Sequence, residues 1–184
     1  MKYLIHARPS QEFIQEIKEY KKKFSALTPQ SNEYRTTLMV ARFNPADETK
    51  IIDDLEKICA KPITIRAGEM ELFTEETLVI KLVSPDLKQL HHQIIEKMAK
   101  YIDWQNTPLY QGEPEREGVF KKYGSQFCEK FYQPHIIIVE TESAIFRQNW
   151  PNMNHFAGIT FTIDKFYLSR KQEKWETAKV FPLK

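Results

Sequence analysis

Glycine is scarce in this chain, with five in 184 residues, and no GxGxxG or GxxxxGK stretch occurs. That excludes the glycine-rich loops that cradle nucleotide phosphates. Cysteine is scarcer still: Cys59 and Cys128 are the only two. Two lone thiols build no disulfide framework, and without paired CxxC, HExxH or a carboxylate cluster no structural metal and no cofactor is expected. A GxSxG nucleophile elbow is missing as well. No apolar run approaches the ~20 residues of a membrane span; the longest, residues 136–139, has strand length. Residues 1–8 hold no apolar export segment, so a reducing cytoplasm is the expected compartment. An excess of charge of either sign is also lacking. Lys and Arg number 27 against 25 Asp and Glu, a net charge of +2. That is too mild for backbone-wide nucleic-acid binding, although a local phosphate site needs only a few cations.

What the chain does hold is alternating short elements with good boundary signals. Residues 2–8 read as a strand, and Ser10 can cap the helix that follows. Phe13, Ile14, Ile17, Tyr20 and Phe24 recur at helical spacing, and the lysines at 21–23 suit that helix's C-terminal dipole. A strand over 36–43 gives way to Asn44-Pro45, a cap followed by a helix-starting proline, and then to Ile51, Ile52, Leu55 and Ile58. Strands are expected over 63–66 and 77–83, with 68–76 between or extending them. Ser84-Pro85 repeats the cap-and-proline signal ahead of Leu87, Leu90, Ile94, Ile95 and Met98. His91 and His92 are adjacent and point to different sides of that helix, which predicts ordinary surface or boundary roles.

Residues 106–118 hold prolines, glycines and many polar groups and read as a long surface loop. Phe120, Tyr123, Phe127 and Phe131 then recur at spacings of three and four. Such a stripe beside Lys121 and Lys122 can stack bases, but helical spacing favours a core face. The run at 135–140 is apolar enough to be buried on both sides. Residues 159–168 and 175–181 alternate as a closing hairpin. The order of elements is not a regular βαβ alternation, so α+β is preferred to a doubly wound sheet. One bilobal domain is expected over 1–184.

Two segments carry chemistry. One is Tyr34-Arg35-Thr36-Thr37-Leu38 and the other is Gln133-Pro134-His135-Ile136-Ile137-Ile138. Each begins a strand, and roughly a hundred residues separate them. In order and spacing they resemble the paired His-x-Thr/Ser-x motifs of the two-histidine (2H) phosphoesterases, which include 2′,5′ RNA ligases and cyclic phosphodiesterases. The tail at 161–169 is similar to that family's last strands. The resemblance covers nearly the whole chain. It implies two pseudo-symmetric lobes of antiparallel sheet, helices on their outer faces, and a central cleft.

Positions i and i+2 of a strand face the same side, so two such pairs place four side chains around one phosphate. In the family one histidine serves as base and the other as acid, while the hydroxyls hydrogen-bond the phosphate oxygens. Here Arg35 stands at the first histidine position and Thr37 keeps the hydroxyl. His135 keeps the second histidine, and Ile137 replaces its hydroxyl. Arginine binds phosphate through its forked donors but exchanges no proton near neutral pH.

The resemblance therefore implies His135 as acid or base and Thr37 as phosphate hydrogen-bond donor. Arg35 would contact the substrate, with His6 and Arg8 of the first strand as further groups lining the cleft. His6 is the candidate to replace the missing histidine. The expected function is that of a hydrolase-like protein that acts on or binds RNA ends or nucleotide 2′,3′-cyclic phosphates with reduced or lost catalysis. The alternative is a non-catalytic protein that binds nucleotide or RNA phosphate. A monomer is expected, and no membrane partner.

Overall fold

The structure, a computed structural model, describes residues 1–22, 34–140 and 152–184. Among the described residues, eight strands form two four-stranded antiparallel sheets. The first sheet has the order β2(Thr36–Arg42), β1(Lys2–Ala7), β7(Lys165–Lys171), β8(Trp175–Pro182). The second has the order β5(His135–Glu140), β4(Thr77–Val83), β3(Ile63–Thr74), β6(Thr160–Ile163). The edge strands β2 and β5 approach one another across the junction of the two sheets. The expected α+β fold with two lobes of antiparallel sheet is what the chain adopts.

The capping residues work as the sequence predicts. Ser10 Oγ accepts from Phe13 N at 3.4 Å at the start of α1(Gln11–Lys21). Ser84 Oγ accepts from Leu87 N at 3.2 Å at the start of α3(Pro85–Met98), whose Pro85 opens the first turn. Asn44 Oδ1 accepts from Ala46 N at 3.1 Å, and a short 3-10 turn leads into α2(Glu48–Glu56). Each cap satisfies a backbone donor that the first helical turn leaves orphaned. The apolar faces so aligned are buried: Phe13 and Ile17 of α1, Ile51 and Leu55 of α2, and Leu87, Leu90, Ile94 and Ile95 of α3. Each such side chain contributes about 1.5–3 kcal/mol by leaving water. Lys23 and Phe24, expected at the end of α1, lie outside the described residues.

Four expectations need correction. The loop read over 106–118 is only half a loop. A fourth helix, α4(Pro114–Tyr123), begins inside it, with Pro114 in the first turn and Glu115 and Glu117 facing the positive end of its dipole. The aromatic spacing from Phe120 to Phe131 is not one helical face. Gly124 takes the left-handed conformation (φ 64°) and stops α4, which leaves Phe127 59% exposed. The stretch 159–168 is not one strand of a hairpin. It breaks at Asp164, whose carbonyl accepts from Leu183 N, and β6 and β7 belong to different sheets. Finally, β5 is not buried on both sides. As an edge strand it turns one face outward, and Ile137 on that face is 37% exposed.

Candidate phosphate site between the motif strands

The local structure of β2 sets the first half of the site. In its pairing with β1, Ile5 faces Met39 and His6 faces Thr37, so Leu38 is skipped as a β-bulge. A bulge leaves ladder groups unpaired and re-aims its neighbours. Here the Leu38 carbonyl accepts a 2.6 Å hydrogen bond from His91 Nδ1, reaching over from α3. The other ring nitrogen, His91 Nε2, accepts from the Glu129 backbone N–H at 3.3 Å. The ring also stacks on Tyr132, with centroids 3.8 Å apart and planes at 9°. Both nitrogens are thus used by a neutral imidazole, and burial holds the His91 pKa down at about 4. His91 is no surface or boundary residue. It ties the bulge of β2 to the segment that leads into β5.

That segment is itself unusual. Glu129 is the one non-glycine residue with positive φ (53°) among those described. The left-handed conformation costs an ordinary residue roughly 1–2 kcal/mol. The Tyr123 hydroxyl donates to the Glu129 carboxylate at 2.7 Å, and Lys122 Nζ lies 3.2 Å from it. Such strain, held by several contacts, marks a place where the backbone shape matters.

Between β2 and this segment lies a cavity of about 360 Å³. Thr37 enters it from the first sheet and His135 from the second. The rest of the lining is mostly apolar and includes four aromatic rings, those of Phe73, Phe127, Phe131 and Tyr132. Arg116 of α4 adds a cation: its guanidinium carbon sits 4.5 Å from the Phe131 ring centre and 5.9 Å from that of Phe127. Glu113 pairs with Arg116 Nε at 3.3 Å.

His135 is set up to accept a proton. Its Nδ1 lies 2.8 Å from the Gln133 carbonyl, which can only accept, so Nδ1 carries the hydrogen and Nε2 keeps a lone pair. Burial lowers the His135 pKa, which outweighs the opposing pull of the hydrogen bond to Gln133 and the Glu71 carboxylate. Glu71 is in turn paired with Lys81 at 2.5 Å, and Lys81 sits opposite His135 in the ladder. The Phe73 ring, 4.3 Å from the imidazole, closes the other side.

The remaining predicted residues gather beside this cavity without lining it. His6 is Thr37's cross-strand partner and so lies within about 5 Å of it at the Cβ atoms. It is fully buried, bonded through Nε2 to Ser169 Oγ at 3.0 Å and stacked on Tyr167 at 5.1 Å. Burial first, then the charges of Arg35 and Arg8, hold its pKa down at about 3. Arg8 lies 4.7 Å over the Tyr167 ring, and Arg35 5.9 Å from the Trp175 ring. Thr37 therefore joins two groups: the cavity with His135, and a cluster in which Arg8, just after β1, and Arg35, just before β2, lie near rings of β7 and β8. Ile137, two residues from His135, presents an apolar side chain on the outward face of β5. Among the described residues, no three His, Cys, Asp or Glu side chains gather as a metal site would need.

Solved structures share this architecture from end to end. TT0787 of Thermus thermophilus matches with a TM-score of 0.70 at 15% identity, covering 100% of this chain and 98% of that one. A protein solved as a phosphoesterase gives 0.63 at 11% identity, covering 99% and 98%. E. coli LigT complexed with phosphate gives 0.65 at 13% identity, covering 99% and 96%. These are members of the 2H phosphoesterase superfamily. The chain has the 2H phosphoesterase fold. No family model and no curated protein sequence matches it, and at this identity the likeness speaks for the 2H fold alone.

Within that fold, reasoning from the sequence missed Arg116, Phe73 and Tyr132 as lining residues and His91 as a tie. One signal was available. Gly124 directly after the basic end of a helical stretch is a stop signal. Reading it would have released Phe127 and Phe131 from the core and returned them to the stacking role that their chemistry allows.

Proposed function

We propose that the chain is a 2H phosphoesterase-like protein that binds nucleotide 2′,3′-cyclic phosphates or RNA ends, with turnover reduced by the loss of one proton-transfer group. The observation that carries this reading is that Thr37 and His135, from opposite sheets, line one cavity with Arg116 and a set of aromatic rings. The hydroxyl donates to a phosphate oxygen, and the rings stack a base. E. coli LigT, with which the chain shares its fold, has been solved complexed with phosphate and with 3′-AMP.

Opening a 2′,3′-cyclic phosphate needs two proton transfers. The attacking water must lose a proton as it bonds to phosphorus, and the ribose oxygen must gain one as its bond to phosphorus breaks. His135 Nε2 supplies the base. An acid for the leaving oxygen is harder to find. Arg35 keeps its proton, and His6 is neutral, buried and already bonded to Ser169. Losing one such partner lowers the rate by ~10²–10⁴. Arg35 and Arg8 act in this reading through their positive field beside Thr37, and His6 as a neutral, buried part of the scaffold beneath them. The want of an acid for the leaving oxygen among the described residues favours the non-catalytic alternative at the slow limit, a protein that holds nucleotide or RNA phosphate without turnover.

Turnover of 2′,3′-cyclic AMP, measured beside calorimetric binding of adenosine 3′-phosphate, tests the reading. Binding with slow hydrolysis that vanishes in His135→Ala is expected. Absence of binding to either compound would overturn it.

A further inference from the structure

The cavity that holds Thr37 and His135 does not end at Phe127. A second cavity, of about 460 Å³, lies on the other side and shares Val40, Ser125 and Phe127 as walls. Phe127 is thus a partition between two spaces, with much of its ring open to solvent. The second space is floored by Ala41 and Arg42 of β2 and by Lys2 of β1, and walled by Leu109, Tyr110 and Phe120.

Two features of this space have no folding rationale. Lys2 and Arg42 face each other directly across the β1–β2 ladder. Like charges placed so are destabilising, and neither has an ion-pair partner among the described residues. Leu109 is 87% exposed at the rim, and Trp104 nearby in sequence is 47% exposed. A large apolar side chain left this open beside aromatic rings is typical of a contact surface. Unpaired cations beside exposed rings, repeated along a groove, are the ordinary means of holding single-stranded nucleic acid.

We propose that the second cavity is a second nucleotide subsite, so that the ligand is an oligonucleotide of at least two residues rather than a mononucleotide. This rests on the proposed function. The 3′-terminal nucleotide sits in the first cavity, with its phosphate at Thr37 and His135. The nucleotide on its 5′ side sits in the second, its base between Phe127 and Tyr110, and the phosphate linking the two lies at Arg42 and Lys2. Phe127 then has one base on each face. The groove follows the outer edge of the motif strand, so affinity grows with ligand length on the 5′ side.

The test is calorimetric binding of adenosine 3′-phosphate and of the dinucleotide ApA bearing a 3′-phosphate, to the wild type and to Arg42→Ala and Leu109→Ser. Thermal melting of each variant is recorded first. The dinucleotide is expected to bind about tenfold more tightly than the mononucleotide. Arg42→Ala should abolish that advantage while leaving mononucleotide affinity unchanged, and Leu109→Ser should reduce it. Equal affinity for the two ligands in the wild type overturns the second subsite while leaving the first cavity's reading intact. Loss of binding to both ligands overturns both. Self-association of the wild type in sedimentation, abolished by Leu109→Ser, would assign the groove to a second copy of the chain and overturn the proposal as well.

Discussion

The two motif strands occupy equivalent places, each at the inner edge of its own sheet, yet they carry different side chains toward the junction. β2 carries a hydroxyl, Thr37, two residues after an arginine. β5 carries a histidine, His135, two residues before an isoleucine. Their surroundings differ in the same sense. Around Thr37 the polar groups are sealed: His6 is buried against Ser169 and Tyr167, and the bulge at Leu38 is tied down by His91. Around His135 the face is partly open, with Ile137 reaching solvent and Phe73 40% exposed. The first lobe sets Arg8 and Arg35 beside Thr37, while the second brings the one imidazole that lines the cavity among the described residues. Under the proposed function, phosphate recognition draws on both lobes and proton transfer on the second alone.

The most damaging substitution removes the support of the first lobe. His91→Ala deletes the bond to the Leu38 carbonyl, the acceptor of the Glu129 N–H and the stack on Tyr132. A loss of about 3 kcal/mol in urea unfolding is expected, together with weaker nucleotide binding, because the cavity walls at Leu38 and Tyr132 lose their tie. The same substitution at His92, whose neighbour does the tying, should change stability by less than ~0.5 kcal/mol.

A second change makes the two strands alike. Arg35→His with Ile137→Thr places a His-x-Thr pair on each strand. Ile137 lies on the open face of β5, so threonine there sacrifices little core packing. Hydrolysis of 2′,3′-cyclic AMP should rise ~10²-fold or more over the wild type. A folded double variant with no gain would mean that Arg35, near Trp175 and the His6 cluster, stands too far from the phosphate for histidine to serve there.

A third prediction separates sealed from open histidines by pH. His6 and His91 have folded pKa values of about 3 and about 4, below the ~6.5 of an unfolded chain. Below ~6.5 the unfolded state takes up protons that the folded state refuses, so stability present at neutral pH is lost as pH falls toward 4. Between pH 7 and pH 5 each should cost about 2 kcal/mol in urea unfolding. His91→Gln should flatten that slope. An unchanged slope would mean that other groups carry the acid sensitivity.

The mildest change concerns the cation on the aromatic wall. Arg116→Ala should weaken adenosine 3′-phosphate binding about threefold, in keeping with one cation–π contact of ~0.5–1 kcal/mol. Melting temperature should change little, since apart from its contacts with the Phe131 and Phe127 rings Arg116 pairs only with the exposed Glu113 among the described residues.

Much of the fold was legible because its boundaries are set by local chemistry. Ser10, Asn44-Pro45 and Ser84-Pro85 each announce a helix through a donor that only the first turn leaves orphaned. The pairing of Thr37 with His135 was also within reach, since both open strands of the right period. The sealed state of His6 was not. It depends on Tyr167 and Ser169, more than 160 residues away along the chain, and strand alternation says which face a side chain takes but not what covers it. The bulge at Leu38 was invisible for a like reason: it arises from pairing between strands and is held by His91 on a distant helix. The lining by Arg116 and Phe127 depended on one left-handed glycine, Gly124, which turned an apparent helical stripe into two walls.

If the two lobes share one phosphate at Thr37 and His135, calorimetric titration will show it. Adenosine 3′-phosphate is titrated into the wild type, Thr37→Val, His135→Ala and the double variant, each checked for unchanged melting. Either single change should weaken binding by about tenfold or more. The double variant should lose less than the sum of the two, because both side chains hold the same group. Affinity that is equal in all four proteins, or losses that simply add, would contradict a shared phosphate.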